Sequence, residues 1–411
     1  MKNLSLLFIV SLLAQFTSLA QEGWFEQTSG VSKKLVGVSF ADVNIGTVVG
    51  DGQILRTTDG GLTWDSLSSD TFGLWDVHFV NTNVGMAVGG AILRTTNGGV
   101  TWDSLWTSAD TSLYGVFLTD ENTGTVVGTT GTILRTTDGG TTWIDQSFNT
   151  IETLTDVNFT DANTGTVVGW GGIILRTING GTTWVSQTSG TTNQFWGVWF
   201  TDTNIGTAVG RGGDIRRTTD GGIMWDSLTS GTTNDLWDVF FTDTNIGTVV
   251  GGTGIGGESN GEIYRTTDGG STWVTQLSNY QYGLHGVSFT DANNGTVVGV
   301  NGTILRTTTG GVSFIEENEI DDVPTDFNLT QNFPNPFNPS TKIIYSVSQL
   351  SNVTIKIFDV LGNEIETLVS EEKPIGTYEI TWYAKGLPSG VYFCQLKAGS
   401  FVETKKMVLL K

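Results

Sequence analysis

One short phrase recurs along the whole chain. It runs arginine, usually two threonines, aspartate or asparagine, two glycines and, after two more residues, a tryptophan, with about 40 residues between copies. Six copies close on Trp64, Trp102, Trp143, Trp184, Trp225 and Trp273, and a degenerate seventh closes on Phe314. A fixed period of this length, with strand-like sequence between the copies, predicts a repeat architecture.

Residues 195–226 show the order within one repeat. Apolar and β-branched runs at 195–200, 207–210 and 214–218 are separated by turns rich in Asp, Asn and Gly, and a fourth run begins at Ile223. Such turns between β-branched and aromatic runs are typical of hairpins. Four short antiparallel strands per repeat predict a propeller blade. First strands are expected to begin at Leu35, Leu74, Leu113, Leu154, Phe195, Leu236 and Leu284, which gives seven blades.

The N-terminus carries a spare copy of the fourth strand. Residues 24–30 match residues 184–190, which follow the repeated phrase of the fourth blade. We expect the strand after Trp24 to complete blade seven and close the ring. In the alternative, residues 312–316 complete it.

The repeated phrase resembles the Asp-box, or bacterial neuraminidase repeat, of sialidases and xyloglucanase-type propellers. The full unit, with its Thr-Asp-x-Asn-x-Gly turn and Gly-x-Ile-Leu-Arg-Thr-Thr strand, resembles the photosystem II assembly and stability factor family over residues 24–315. That resemblance implies a single seven-bladed propeller that binds proteins rather than converting a substrate. It is specific for fold and weak for function, because such boxes occur in proteins of unrelated activity.

Residues present in every copy are expected to hold the fold together. The box tryptophans should wedge between blades, and the box aspartates, such as Asp138, should accept backbone hydrogen bonds within the turn. The equivalent arginines, such as Arg135, should contact the neighbouring blade. A calcium site in the turn 161–165 would need more carboxylates than the turn supplies. No metal or other cofactor is predicted.

Aromatic residues outside the repeated phrase indicate where a ligand would bind. Several fall at the start of a first strand or in a second-to-third loop, which share the propeller face opposite the box turns, and Trp106 is expected on that face too. The predicted ligand-binding residues are Trp75, Tyr114, Trp170, Trp196, Arg211, Trp237 and His285. We expect an aromatic surface over blades four to six, near the insertion at 251–261, since aromatic and Arg residues anchor many interfaces. In the alternative, these rings only plug the channel mouth.

Charge and motif content limit the possible functions. The net charge of −21 argues against nucleic acids and anionic membranes as partners. His78 and His285 lie on different blades without a nucleophile motif, so no catalytic residue is predicted and an enzyme is disfavoured. The alternative is a secreted glycoside hydrolase of sialidase or xyloglucanase type, which would use carboxylates such as Asp76, Asp156 and Asp238. These aspartates are expected to cap strand ends.

Both ends of the chain indicate export. Residues 1–20 have a lysine, an apolar run and a small-x-small site, as in a signal peptide. Residues 21–315 would be the propeller and residues 316–325 an acidic linker. Residues 326–411 alternate apolar and polar runs, which predicts a small Ig-like β-sandwich and makes the fold class all-β throughout.

The C-terminal segment resembles the sorting domain of type IX secretion cargo. The resemblance lies in Asn332–Pro339, in Ile357–Gly362, in Leu387–Phe393 and in the terminal Lys-Lys-Met-Val-Leu. It implies that the type IX machinery carries the chain across the outer membrane, to the cell surface or beyond. The predicted partner is an unidentified extracellular protein or glycan. A carbohydrate-binding sandwich is the alternative for this segment.

Overall fold

The computed structural model describes residues 23–68, 73–107, 111–253, 259–312, 324 and 326–410. The chain divides into two compact units, Met1–Phe314 and Ile315–Lys411. The predicted signal peptide, and all of the predicted linker except Pro324, lie outside the described residues. Within the described part, no helix is long and apolar enough to cross a membrane.

The first unit is a seven-bladed β-propeller of four-stranded antiparallel sheets, as predicted. Blade one is Leu35–Phe40, Gly46–Gly50, Gln53–Thr57 and Asp65–Ser68; blade two is Leu74–Phe79, Gly85–Gly89, Ala91–Thr95 and Asp103–Thr107; blade three is Leu113–Leu118, Gly124–Gly128, Ile133–Thr136 and Ile144–Asp145; blade four is Leu154–Phe159, Gly165–Gly169, Ile174–Thr177 and Val185–Gln187. Blade five is Phe195–Phe200, Gly206–Gly210, Asp214–Thr218 and Asp226–Thr229; blade six is Asp235–Phe241, Gly247–Thr253, Ser259–Thr266 and Val274–Tyr280; blade seven is Leu284–Phe289, Gly295–Gly299, Ile304–Thr307 and Phe25–Gln27. Single 3₁₀ turns occupy Thr129–Gly131, Trp170–Gly172, Arg211–Gly213 and Val300–Gly302.

Second strands carry the centre of each blade. All five residues of Gly206–Gly210 are buried, as in the equivalent strands, because neighbouring blades cover both faces. The first glycine makes room for an aromatic ring: a methyl group on Gly206 would lie 2.4 Å from the Phe200 ring. The fourth strand of blade five begins at Asp226, after Trp225, and the expected start at Ile223 was wrong. Residues 223–225 belong instead to the box turn.

The ring closes through the N-terminal strand. Phe25 pairs with Arg306 and Gln27 pairs with Ile304, so Phe25–Gln27 is the outer strand of blade seven. Of the two closures that the sequence left open, the structure has the N-terminal one. Blade seven therefore contains strands from both ends of the propeller, and the ring closes by the pairing of Phe25–Gln27 with Ile304–Thr307.

Repeated residues connect the blades, as expected from their equivalence. Trp225 Nε1 donates to Gln187 Oε1 of the preceding blade (3.1 Å), and Gln187 Nε2 donates to the box carbonyl of Gly221 (2.9 Å). Within the box, Asp138 accepts from the Thr142 backbone N–H (2.9 Å) and from its hydroxyl (2.7 Å). The box is therefore a closed hydrogen-bonded turn that presents its tryptophan to the interface with the preceding blade.

The box arginine is a clamp between blades. Arg135 donates from Nη1 to Thr125 Oγ1 of its own blade (2.8 Å) and from Nη2 to the Ala162 carbonyl of the next (2.6 Å). Its guanidinium lies 4.9 Å from the centre of the Phe159 ring. These contacts confirm the predicted structural role and leave no arginine cluster of the sialidase kind at these positions.

The second unit is a β-sandwich of two sheets. One sheet orders Asn328–Leu329, Ser340–Val347 and Gly376–Tyr383; the other orders Glu364–Lys373, Ser351–Phe358, Gly390–Ala398 and Phe401–Leu409. Trp382, Tyr345 and Phe337 are the largest side chains buried between them. The loop at 332–339 docks on the last strand, since Asn335 Oδ1 accepts from the Val408 N–H (2.8 Å).

Candidate binding site at the channel mouth

Backbone contacts fix which loops share a face. The Gly60 N–H of a box turn donates to the Asn44 carbonyl of a first-to-second turn (2.9 Å), so these two turns lie together. On the other face, the Trp170 N–H donates to Thr153 O (2.9 Å) and the Arg211 N–H to Gln194 O (2.8 Å). Second-to-third loops and the starts of first strands therefore meet there, which agrees with the expected arrangement.

A β-bulge aims one side chain of each blade into the mouth of the axial channel. In blade five Phe195 pairs with Gly210 and Gly197 with Val209, so Trp196 between them has no ladder partner. The same register shift occurs at the start of the first strand in all seven blades. Bulges re-aim side chains in this way and recur next to functional sites. The bulged residues are Val36, Trp75, Tyr114, Thr155, Trp196, Trp237 and His285.

These residues surround a cavity of about 330 Å³. Its wall also contains Trp170 and Lys34, whose Nζ lies 6.0 Å from the centre of the Trp75 ring. Ring centres are 5.3 Å apart for Trp75 and Tyr114, 4.6 Å for Trp196 and Trp237, and 5.0 Å for Trp237 and His285. At 4.6 Å and 32° between planes, the Trp196 and Trp237 rings stand partly stacked, so they support one another at the mouth.

Two small residues interrupt the rings. Val36 and Thr155 occupy the bulge position in blades one and four, and separate the Trp75–Tyr114 pair from the Trp196–Trp237–His285 group. The Thr155 hydroxyl donates to the Phe195 carbonyl of the next blade (2.9 Å). Trp170 reaches in from the loop of blade four and meets Trp196 edge-on, with ring centres 6.2 Å apart. The cavity therefore has aromatic walls with gaps between them.

The structure brings six of the seven predicted site residues together. Trp75, Tyr114, Trp170, Trp196, Trp237 and His285 all line the cavity. Arg211 does not: it is exposed at the start of its 3₁₀ turn and is absent from the lining. All seven blades contribute to the cavity, which therefore extends beyond the predicted blades four to six. Part of the blade-six insertion, residues 254–258, lies outside the described residues.

Three aspartates form the floor of the cavity. Each accepts two backbone N–H bonds, one from its own blade and one from the next: Asp238, for example, accepts from Val239 (2.7 Å) and Val287 (2.8 Å). Asp76 and Asp156 make the same pair of bonds. Glycines at this position in the other blades allow close approach, since a methyl group on Gly197 would lie 3.0 Å from Asp238 Cα. The aspartates therefore link blades rather than merely capping strand ends.

Burial dominates the electrostatics of this floor. Desolvation raises the pKa of Asp76 to about 6 and that of Asp238 to about 7. It raises the pKa of Asp156 well above the usual range, with a further contribution from the charges of Asp76 and Asp238. The three carboxyls thus interact across the channel, and near neutral pH the floor carries less charge than three free aspartates would.

A second chamber of about 200 Å³ lies below the aspartates and shares them. Trp199, Phe117 and Phe240 line it together with His78 and Asn158. His78 Nδ1 accepts from the Leu118 N–H of the next blade (3.2 Å), and burial lowers the pKa of His78 to about 4. A neutral, hydrogen-bonded histidine here is a structural link between blades two and three. Within the described residues, no group of three or more His, Cys, Asp or Glu side chains could hold a metal ion.

Comparison with known families agrees with both units. Residues 331–410 match the family model described as a secretion system C-terminal sorting domain. The C-terminal unit is a secretion sorting domain. Residues 104–186 match the model of the photosynthesis system II assembly factor YCF48. No curated protein matches the chain.

Solved structures support the propeller fold. A structure of YCF48 bound to a D1 peptide aligns with a TM-score of 0.59 at 22% identity, covering 71% of this chain and 99% of that one. YCF48 from Cyanidioschyzon merolae aligns with a TM-score of 0.58 at 22% identity, covering 69% and 98%. The first unit thus resembles the photosystem II assembly factor propellers in fold, and the sorting domain indicates an exported protein.

Proposed function

We propose that this chain is an exported, non-catalytic binding protein whose propeller holds an extracellular protein or glycan at the channel mouth. The observation that carries the proposal is the cavity of about 330 Å³, with six aromatic or imidazole rings in its wall. Concave sites with aromatic walls and a few polar groups are the usual form of a binding pocket.

The fold itself does not require these rings. Val36 and Thr155 occupy the same bulge position in blades with the same register, so a small residue is compatible with the blade. Trp75, Tyr114, Trp170, Trp196 and Trp237 are only half-buried and leave the cavity open. A plug would be expected to fill the space it occupies. Open space between aromatic walls therefore favours binding over plugging.

A protein partner has the additional support of a fold relative that was solved with a peptide bound. Sugar rings stack on aromatic side chains equally well, so a glycan remains in the proposal. The net charge of −21 favours neutral or basic partners over strongly acidic ones.

A glycoside hydrolase is the second candidate, because three carboxyls with raised pKa values line the same cavity. Against it, both oxygens of each carboxylate already accept backbone N–H bonds. A group held in this way connects strands and is poorly placed to turn toward a substrate. Clear hydrolysis of a glycan, abolished by Asp238→Asn in a variant that stays folded, would favour the enzyme.

Delivery is proposed to use an N-terminal signal peptide, residues 1–20, and the type IX secretion machinery, ending at the cell surface or in the medium. The match of residues 331–410 supports this route. Expression of the full chain and of a chain ending at residue 315, in a bacterium with that system, tests it. We expect the full chain outside the cell and the shorter one in the periplasm.

The binding test uses the exported chain against a glycan array and a peptide library. Trp196→Ala and Trp237→Ala should abolish capture of a ligand while leaving the melting temperature nearly unchanged. Trp106→Ala is the matched control, since Trp106 packs against the core between blades two and three and lies outside the cavity. If the two cavity variants melt several degrees lower and no ligand is captured by the wild type, the rings are a plug.

A further inference from the structure

The bulged residues of blades one and four are small, so the circle of rings at the channel mouth has two gaps. We call them the Val36 gap and the Thr155 gap. The Val36 gap lies beside Trp75 of blade two. The Thr155 gap lies between Tyr114 of blade three and Trp196 of blade five. These gaps are the two places where a further group can enter between the rings.

A lysine of the chain itself lies at the Val36 gap. Lys34 stands two residues before Val36, is half-buried and lines the cavity, with its Nζ 6.0 Å from the centre of the Trp75 ring. This distance is at the outer limit of a cation–π contact, in which the face of an aromatic ring attracts an ammonium group. The cavity therefore already places one ammonium beside an aromatic ring.

The Thr155 gap has the same backbone arrangement but a different residue at the lysine position. The Asp51 N–H donates to the Lys34 carbonyl (3.0 Å), and the Trp170 N–H donates to the Thr153 carbonyl (2.9 Å). These equivalent bonds show that Thr153 stands in blade four where Lys34 stands in blade one. A threonine carries no charge and is much shorter than a lysine, so this position supplies no ammonium to the Thr155 gap.

Aromatic rings border the Thr155 gap on both sides. Tyr114 packs on the ring of blade two, with 5.3 Å between ring centres, and Trp196 packs on the ring of blade six, with 4.6 Å. Each of these two rings therefore has its other face toward blade four. Trp170 adds a third ring from the loop of blade four, 6.2 Å from Trp196. Tryptophan is the aromatic side chain that attracts a cation most strongly, and tyrosine attracts one as well.

Carboxyl groups lie on the floor of the cavity beneath these rings. Asp156 follows Thr155 in the sequence and shares the floor with Asp76 and Asp238, and all three are partly accessible from the cavity. Desolvation raises the pKa of Asp238 to about 7 and that of Asp156 well above the usual range. An opposite charge nearby favours the ionised form of a carboxyl. An ammonium group above this floor would therefore be attracted by the carboxylates and would stabilise their charge.

We propose that the Thr155 gap binds the ammonium group of a lysine side chain that a protein partner presents. Three observations support an alkylammonium ligand: the rings on both sides of the gap, the carboxyls beneath it, and the lysine that the chain itself places at the Val36 gap. The net charge of −21 also favours a basic partner. This inference rests on the proposed binding function and selects, within it, a protein with an exposed lysine over a glycan.

Capture from two peptide libraries by the exported chain tests the class of ligand. Both libraries are otherwise uncharged; one has a central lysine and the other a central norleucine, which keeps the alkyl stem and lacks the ammonium. We expect the lysine peptides to bind about tenfold more tightly, as the loss of a cation–π contact in a partly desolvated site predicts. Equal binding of both libraries, or capture of glycans only, would overturn this inference and leave the proposed binding function in place. Capture of neither peptides nor glycans would overturn both.

Two substitutions to lysine locate the site. Thr153→Lys should weaken the capture of lysine peptides about tenfold, because it places the chain's own ammonium at the Thr155 gap, as Lys34 does in blade one. Gln194→Lys is the matched control, which adds the same charge at the equivalent position of blade five, where Trp196 already packs on the ring of blade six. It should bind lysine peptides like the wild type. Unchanged capture by a folded Thr153→Lys variant would overturn the inference; if that variant does not fold, the comparison of the two libraries on the wild type decides.

Discussion

Asp238 should make the stability of the propeller depend on pH in an unusual direction. Its carboxyl has an ordinary pKa of 3.8 and, because it is buried in the folded chain, a pKa of about 7. A group whose pKa rises on folding stabilises the fold most below its unfolded pKa, and that contribution is lost as the pH rises through the folded pKa. The propeller should therefore become less stable between pH 5 and pH 8.

The size of the effect follows from the two pKa values. Over that range, ionising one carboxyl in this way removes about 2–3 kcal/mol of stability. For a unit of this size, that corresponds to a fall of about 4 °C in the melting temperature. Asp156 and Asp76 act in the same direction, since burial raises the pKa of each.

The variant Asp238→Asn separates this carboxyl from its neighbours. An amide keeps one acceptor but turns its NH2 group toward one of the two backbone N–H donors, from Val239 or Val287. That lost hydrogen bond should cost about 1–3 kcal/mol at pH 5. At pH 8 the wild type carries the ionised carboxylate, so the difference should shrink or reverse, a change of about 2–3 kcal/mol in favour of the variant.

Chemical denaturation of the wild type and the Asp238→Asn variant at pH 5 and pH 8 measures these differences in the free energy of unfolding. Asp138→Asn is the matched control, because blades two and four already have Asn97 and Asn179 at that position. Hydrogen bonds from Thr142 lower the pKa of Asp138, so this carboxylate stays ionised throughout the range. If Asp238→Asn changes stability equally at both pH values, Asp238 does not have the raised pKa on which the argument depends.

Substitutions at two further positions, Trp225 and Arg135, test the contacts between blades. Trp225→Ala should cost about 3–5 kcal/mol in chemical denaturation, while Trp225→Phe should cost about 1 kcal/mol because it keeps an aromatic ring but loses the bond to Gln187. Arg135→Met should cost about 2–4 kcal/mol, because it removes two hydrogen bonds from a buried guanidinium. Arg211→Met, at an exposed arginine, should cost almost nothing; an equal loss at both arginines would contradict the clamp.

The repeat made much of this structure predictable. Because each copy repeats the same four strands, equivalent positions must lie on the same face, and Trp196 and Trp237 could be placed together from sequence alone. The match of residues 24–30 to a fourth strand likewise predicted the closing strand. The repeat period predicts that equivalent residues occupy equivalent places in every blade, and this prediction does not require information about packing.

Side-chain direction was less predictable than position. Trp170 and Arg211 begin equivalent 3₁₀ turns with the same backbone bond, yet only Trp170 lines the cavity. A flat apolar ring gains by packing edge-on to Trp196, whereas a guanidinium is better hydrated facing solvent. Trp106 pairs with Ile92 beside the second-to-third loop, yet its ring packs against the core between blades two and three and does not line the cavity. The repeat period does not predict the direction of a side chain, because that direction depends on which neighbouring residue the side chain contacts.

The floor of the channel shows what a seven-fold repeat imposes. Glycine and aspartate alternate from Gly37 to Gly286, so the aspartate links join blades two to three, four to five and six to seven. With seven blades, glycine and aspartate cannot alternate around the whole ring. Glycine therefore occupies this position on both sides of the junction between blade seven and blade one, at Gly286 and Gly37. There Ser288 Oγ accepts from the Phe40 N–H (3.2 Å) and the Arg306 guanidinium lies 4.9 Å from the Phe40 ring centre. This junction therefore has a serine hydroxyl, the arginine clamp and the apolar packing of Val298 and Ile304 on blade one in place of an aspartate link.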